Sequence, residues 1–127
     1  MSKGKEMIDI KSLMLGDLVS VDNKVWKVLE LEGMACLCNP NDELDYIFCN
    51  SEDIEGIPLT AEILKKNGFI YNDIPFEQAW QQYGLSLYAA GNGYRVNCGE
   101  NVSLIIDSVH ELQHALRLCG IQKQINL

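Results

Sequence analysis

Short apolar runs separated by turn-forming residues are the feature that most constrains the fold of this chain. Five of these runs follow one another in the first half, at residues 18–21, 25–31, 34–38, 44–49 and 54–58. Runs of this length at such regular spacing are typical of short antiparallel strands. We therefore expect residues 1–59 to form an antiparallel sheet or a small SH3-like barrel.

Alternating apolar residues in the second half predict a meander of three antiparallel strands. Leu85, Leu87 and Ala89 begin the alternation, and Gly91-Asn92-Gly93 has the composition of a tight hairpin turn. The alternation resumes over residues 94–98 and 102–106. No low-complexity linker separates the two halves, so we expect residues 60–127 to form one compact unit together with residues 1–59.

Three helices are predicted around this meander. A helix over residues 61–67 follows Thr60, which can cap it, and Gly68 supplies the left-handed residue of a Schellman ending that packs Phe69 on Leu64. Apolar residues at helical spacing predict a second short helix from Pro75 to Tyr83, with an extended segment as the alternative. Asp107 or Ser108 can cap a third helix, which runs to about Cys119 and packs on the meander. The predicted fold class is α+β.

The net charge of the chain and the length of its apolar runs argue against nucleic acid and membranes as partners. Ten Lys and Arg residues stand against eighteen Asp and Glu residues, which gives a formal net charge of -8. Because broad contact with phosphates needs a positive face, we expect no direct binding of nucleic acid. No apolar run approaches the roughly 18 residues of a membrane span, and the first residues lead into no apolar signal core. We expect a cytoplasmic protein without membrane contact.

The cysteines are odd in number and lie mostly within apolar runs. They are Cys36, Cys38, Cys49, Cys98 and Cys119. This pattern favours reduced, buried thiols that pack like small hydrophobic residues. Their spacing does not match the C-x-x-C knuckles of zinc ribbons. We therefore expect no cofactor at the cysteines.

One motif is typical of catalysis. The run His110-Glu111-Leu112-Gln113-His114 matches the H-E-x-x-H pattern, in which two histidines bind zinc and the glutamate acts as general base. Catalytic zinc needs a third protein ligand, which in one common arrangement lies six residues after the second histidine. That position is Gly120, and Cys119 is the one plausible ligand after His114.

The helical wheel also bears on this motif. Val109, Leu112 and Ala115 fall on one face of the predicted helix, and His110 and His114 lie nearly opposite. We therefore expect both histidines to be in water. No catalytic residue is assigned, and His110 and His114 are only weak candidates for metal binding.

Three blocks of sequence lie in order along the chain: Leu15-Gly16-Asp17-Leu18-Val19, Ile54 to Phe69, and Val109-His110-Glu111-Leu112-Gln113. In these blocks the chain resembles a group of small uncharacterised proteins encoded by phages and mobile elements of gut bacteria. The resemblance implies that the positions of Glu111 and His114 vary within the group, so that the zinc motif is a coincidence. It implies no established activity, cofactor or catalytic residue.

Core-building patterns without a convergent set of catalytic groups predict a binding or assembly protein that is not an enzyme. Its partner is expected to be another protein or a second copy of the chain. One alternative is a zinc-dependent hydrolase that uses His110, Glu111 and His114. Another is an acidic protein that binds a nucleic-acid-binding partner.

Overall fold

The computed structural model describes residues 12–32, 34–74, 77–98 and 102–127. The chain divides into two units, Met1–Ile57 and Pro58–Leu127. Each unit is built on one antiparallel sheet, and the C-terminal unit also holds two α-helices. The predicted α+β class is therefore confirmed.

Four strands form the sheet of the N-terminal unit in the order β1-β2-β3-β4. They are β1 (Leu18–Val21), β2 (Lys24–Glu30), β3 (Ala35–Asn39) and β4 (Asp42–Cys49). Asp22 and Asn23 have φ angles of 50° and 64° between β1 and β2, as a tight hairpin turn requires. The predicted antiparallel sheet is confirmed. Because β1 and β4 are not paired in the described part of the chain, these strands do not close into the SH3-like barrel.

The core of the N-terminal unit lies on one face of this sheet. Val28 and Leu37 are cross-strand partners on β2 and β3, and both are buried. Val19, Trp26 and Ile54 belong to the same cluster. Removing this apolar surface from water stabilises the sheet by roughly 1.5–3 kcal/mol for each large side chain.

Five strands form the sheet of the C-terminal unit in the order β5-β6-β7-β8-β9, all antiparallel. They are β5 (Ile70–Ile74), β6 (Glu77–Gln82), β7 (Leu85–Ala90), β8 (Gly93–Cys98) and β9 (Val102–Ile106). The last three are the predicted meander. The helices are α1 (Ala61–Lys66) and α2 (Val109–Leu118).

The helix predicted from Pro75 to Tyr83 is wrong over its described residues, and the extended alternative is right. Strand β6 pairs on one side with β5, through Tyr71 and Trp80, and on the other with β7, through Trp80 and Leu87. The apolar residues Ala79, Trp80 and Tyr83 fit helical spacing, but ladders on both edges of β6 outweigh this local pattern. Residues 75 and 76 lie outside the described part of the chain.

Helix α1 has the ends that the sequence predicts. Ile63 N donates to the Thr60 hydroxyl at 3.3 Å, which caps the first turn. At the other end Gly68 has a φ of 89°, and Phe69 N donates to Leu64 O at 3.0 Å. This is a Schellman ending, in which the buried side chains of Leu64 and Phe69 pack together.

A glycine in β8 tests the register of the C-terminal sheet. A methyl group at Gly93 would overlap the carbonyl oxygen of Ile106, whereas one at Gly91 would meet open space at a φ of 59°. We expect Gly93→Ala to lower the free energy of unfolding by about 2–3 kcal/mol. Gly91→Ala is the control, and the left-handed conformation alone should cost it about 1 kcal/mol. Urea denaturation measures both, and equal losses would contradict the β8–β9 register.

Candidate functional site

The first turn of α2 holds the residues that the sequence marks as candidates. Glu111 Oε1 accepts hydrogen bonds from the Ser108 hydroxyl at 2.8 Å and from Asp107 N at 3.1 Å. The Ser108 hydroxyl also lies 3.1 Å from Nδ1 of His110. A serine at the N-cap and a glutamate three residues later have the spacing of a capping box, but the Ser108 side chain makes no capping hydrogen bond to the first turn, and only the glutamate accepts from the backbone. The glutamate of the H-E-x-x-H match thus stabilises the start of the helix.

The capping interactions also set the charge of this glutamate. Partial burial acts to raise the pKa of Glu111. Hydrogen bonds from Asp107 and Ser108, together with the charge of His110, outweigh burial and lower the pKa below its ordinary value. The carboxylate is therefore ionised at neutral pH and carries a negative charge at the positive end of α2.

The expectation that both histidines lie in water is wrong for His110. Its side chain is buried, with 7% of its surface exposed, and His114 is half-buried. The two rings contact each other edge to face, with centroids 5.7 Å apart. Val109, Leu112 and Ala115 are buried as predicted. Gln113 is buried too, so residues on more than one face of α2 are covered by other parts of the protein. A helical wheel assumes a single covered face and therefore misplaces His110.

The described residues do not bring a third metal ligand to this histidine pair. Among them, no three His, Cys, Asp or Glu side chains are placed to hold a metal ion. Cys119, the candidate ligand after His114, forms a disulfide with Cys98. An i, i+4 histidine pair alone does not meet the need of catalytic zinc for three protein ligands.

The disulfide corrects the expectation that every thiol is reduced. It joins the last residue of β8 to the residue that follows α2, with Cα atoms 6.7 Å apart. Cys36, Cys38 and Cys49 are free and buried, as predicted. Burial raises the pKa of Cys36 and of Cys49, helped by Glu30 near the first and Asp53 near the second. These two thiols are therefore protonated and poor nucleophiles at neutral pH.

A groove of about 300 Å³ lies between β9 and α2. Its walls are mostly apolar, with two polar side chains on the helix. The lining residues are Leu104, Ile105, Ile106, Glu111, His114, Ala115 and Leu118. The Glu111 carboxylate and the His114 ring thus line a small open site together with aliphatic side chains.

The second exposed feature is strand β4 in the N-terminal unit. Leu44, Tyr46 and Phe48 are 88%, 52% and 60% exposed. Tyr46 and Phe48 pair in register with Cys38 and Cys36, and their rings meet edge to face with centroids 5.8 Å apart. Cys36 and Cys38 are buried, so the exposed apolar surface on this face follows the edge strand.

Acidic side chains accompany this apolar strip. Asp42, Glu43 and Asp45 are exposed on the same strand. Lys27 Nζ lies 3.4 Å from Glu43 Oε1, and Lys24 Nζ lies 4.0 Å from Asp45 Oδ2. Exposed ion pairs of this kind are worth at most about 1 kcal/mol, so a partner can displace them. The strand combines aromatic rings with carboxylates that remain accessible.

The exposure of Leu44, Tyr46 and Phe48 does not follow from the sequence pattern alone. The alternation of Leu44, Tyr46 and Phe48 marks a strand but does not say whether its apolar face is covered. One signal was present in the sequence: the carboxylates of Asp42, Glu43 and Asp45 alternate with or precede the apolar residues, which is unusual for a central strand.

No family model, curated protein or solved structure matches the chain. Within the described residues, neither helix has the length and apolar character needed to cross a bilayer.

Because Glu111 is ionised in the folded protein, its contribution to the free energy of unfolding should depend on pH. Because folding lowers its pKa, the carboxylate stabilises the protein above the pKa of the unfolded chain, and this contribution is lost as the pH falls through the folded pKa. We expect Glu111→Gln to lower the free energy of unfolding by about 1 kcal/mol at neutral pH, as for loss of a helix cap. The gap between wild type and variant should close in acid.

Urea denaturation at pH about 7 and about 3 measures this gap. Glu62→Gln is the matched control, since Glu62 lies in the first turn of α1 and is exposed. A gap that stays constant for Glu111→Gln would contradict the role of its charge.

The two histidines should differ in their effect on stability. His110→Ala empties buried space beside Ser108, so we expect a loss of about 1–2 kcal/mol. His114→Ala removes a half-buried ring and should cost about 0.5 kcal/mol. Protein purified without a histidine tag should contain no stoichiometric zinc by metal analysis. Zinc at about one equivalent, lost in His110→Ala, would support the hydrolase alternative instead.

Proposed function

We propose that this chain is a non-enzymatic binding protein that takes up an extended, basic segment of a partner protein along β4. The observation that carries the proposal is the exposed pair Tyr46 and Phe48 on a strand at the end of its sheet. Apolar rings in water at a sheet edge favour association with another chain.

The two outer strands of the N-terminal sheet differ in how their edges are used. Ser20 of β1 exchanges two backbone hydrogen bonds of 2.8 Å with Glu55, so part of the outer edge of β1 is paired. No described strand pairs with the outer edge of β4. An extended segment can add there through main-chain hydrogen bonds, as in β-strand addition.

The aromatic side chains would supply most of the binding energy. Tyrosine and phenylalanine are enriched in protein interfaces because their rings bury large areas and lose little side-chain entropy. Tyr46 and Phe48 already contact each other, so their rings present a preformed surface to alternate side chains of an added strand. Preformed surfaces reduce the entropic cost of binding.

The negative charge of the N-terminal unit favours a basic partner segment at β4. Residues 1–57 hold twelve of the eighteen acidic residues but five of the ten basic ones, a formal charge of -7 out of -8. Parallel in-register pairing of β4 with β4 of a second copy would set Asp42, Glu43 and Asp45 beside the same carboxylates, which is destabilising, whereas full antiparallel pairing would set them opposite residues 46–49. A lysine- or arginine-rich strand meets the opposite field and is steered towards it.

Basic extended segments are common in proteins that bind nucleic acid. The alternative in which this acidic chain binds a nucleic-acid-binding partner is thus a narrower form of the same proposal. A phage or mobile-element origin and a cytoplasmic location stay predictions from the sequence. The cytoplasmic prediction relies in part on reduced cysteines. The Cys98–Cys119 disulfide counts against that part, because disulfides are typical of oxidising compartments.

A synthetic peptide of alternating lysine and valine, long enough to pair with all of β4, tests the proposal by fluorescence anisotropy. The double variant Tyr46→Ala, Phe48→Ala should keep its fold, since both rings are exposed, and should bind at least about tenfold more weakly. Binding should weaken with added salt, because charge complementarity contributes to it.

Two controls make the result specific. Ile70→Ala, Tyr71→Ala removes an exposed apolar pair from β5 in the other unit and should leave binding unchanged. A peptide of alternating glutamate and valine has the same strand propensity pattern with the opposite charge and should bind poorly. Equal binding of the two peptides, or undiminished binding by the β4 variant, would refute the proposal.

A further inference from the structure

The groove between β9 and α2 has a polar end and an apolar end. Glu111 lies in the first turn of α2 and Leu118 is its last residue, so about 10 Å of helix separates them. Ala115 lies between them on the same side of the helix, one turn before Leu118. A ligand along this groove therefore meets a carboxylate first and aliphatic side chains afterwards.

The apolar end presents uncovered hydrophobic surface. Ile106 and Ala115 are buried and form its floor. Leu118 is 65% exposed, and Leu104 on β9 is also exposed. Covering such side chains releases roughly 25 cal/mol for each Å² removed from water. This end favours an aliphatic or aromatic group.

The polar end carries a fixed negative charge. Glu111 lines this end, where its carboxylate is hydrogen-bonded by Ser108 and by both the backbone and the side chain of Asp107. His114 lines the groove one turn further along the helix. Its lining includes no lysine or arginine, so the local field attracts a cation. Arg95 on β8 is the register partner of the lining residue Ile105, and its guanidinium lies over the ring of Tyr88.

We propose that this groove binds a small molecule that joins an apolar body to a protonated amine. The amine lies against the Glu111 carboxylate, and the apolar body covers Ala115 and Leu118. A volume of about 300 Å³ is at the lower end of small-molecule sites, which suits a compact ligand of this kind. The site is in the C-terminal unit and does not depend on the proposed role of β4.

Tryptamine and indole-3-propionate are matched probes, because they share an indole body and carry opposite charges. Amide chemical shifts of the full chain, followed by NMR during titration, report where and how tightly each one binds. We expect tryptamine to shift resonances of β9 and α2 and to bind at least about tenfold more tightly than indole-3-propionate.

Two variants change the proposed site, and a third variant is the control. Glu111→Gln should remove most of the tenfold preference. Leu118→Arg changes an exposed residue, so the fold should persist, and the added cation should weaken tryptamine binding. Glu62→Gln on α1 is the control and should leave the preference intact.

Equal affinity for the two probes, a preference that survives Glu111→Gln, or shifts confined to the N-terminal unit would overturn the inference. Binding of the lysine–valine peptide at β9 and α2 without binding of tryptamine would also overturn it, since it would make the groove a peptide site.

Discussion

The edges of open antiparallel sheets are the constraint on which most of this structure depends. A strand at an edge has main-chain groups that its own sheet does not pair, and water or another segment must satisfy them. The chain meets this need in part from its own loops, as where Ser20 and Glu55 pair beside β1. Similarly, Leu59 N donates to Asp107 O at 3.0 Å just after β9. Strand β4 differs, because exposed aromatic and acidic side chains lie along it and no described strand pairs with its outer edge.

In helix α2 one side chain both stabilises the first turn and lines a surface groove. Glu111 accepts two hydrogen bonds that organise the first turn, and those bonds hold its pKa low. The same carboxylate lines the groove beside β9. A charge held by helix capping costs little reorganisation when a ligand arrives, because its position is already determined. The local requirement of the helix thus creates an oriented charge at a surface site.

The parts of the fold that the sequence predicts are those set by local interactions. The Asp22-Asn23 turn, the Thr60 cap and the Schellman ending at Gly68 each depend on a few neighbouring residues, and all are present. For β6 the sequence favours a helix and gives an extended segment only as the alternative, because the strand depends on two ladders whose partners lie elsewhere in the chain. The burial of His110 and the exposure of Tyr46 were missed for a related reason. Periodicity assigns residues to faces, but tertiary packing decides which faces are covered. The site was therefore less predictable than the elements that carry it.

The H-E-x-x-H match has a complete structural explanation within α2. Ser108 and Glu111 are spaced as a capping box, which is a common reason for a glutamate at the third helical position. Leu112 is buried in the core, as an apolar residue after a cap should be. His110 is buried beside the cap, and its ring contacts His114 one turn later. His110, Glu111 and His114 thus all have contacts at the start of α2, and the described residues place no third ligand beside them for a metal ion. The exposed side chains of β4 and of the β9–α2 groove, which no motif marks, carry the proposed binding instead.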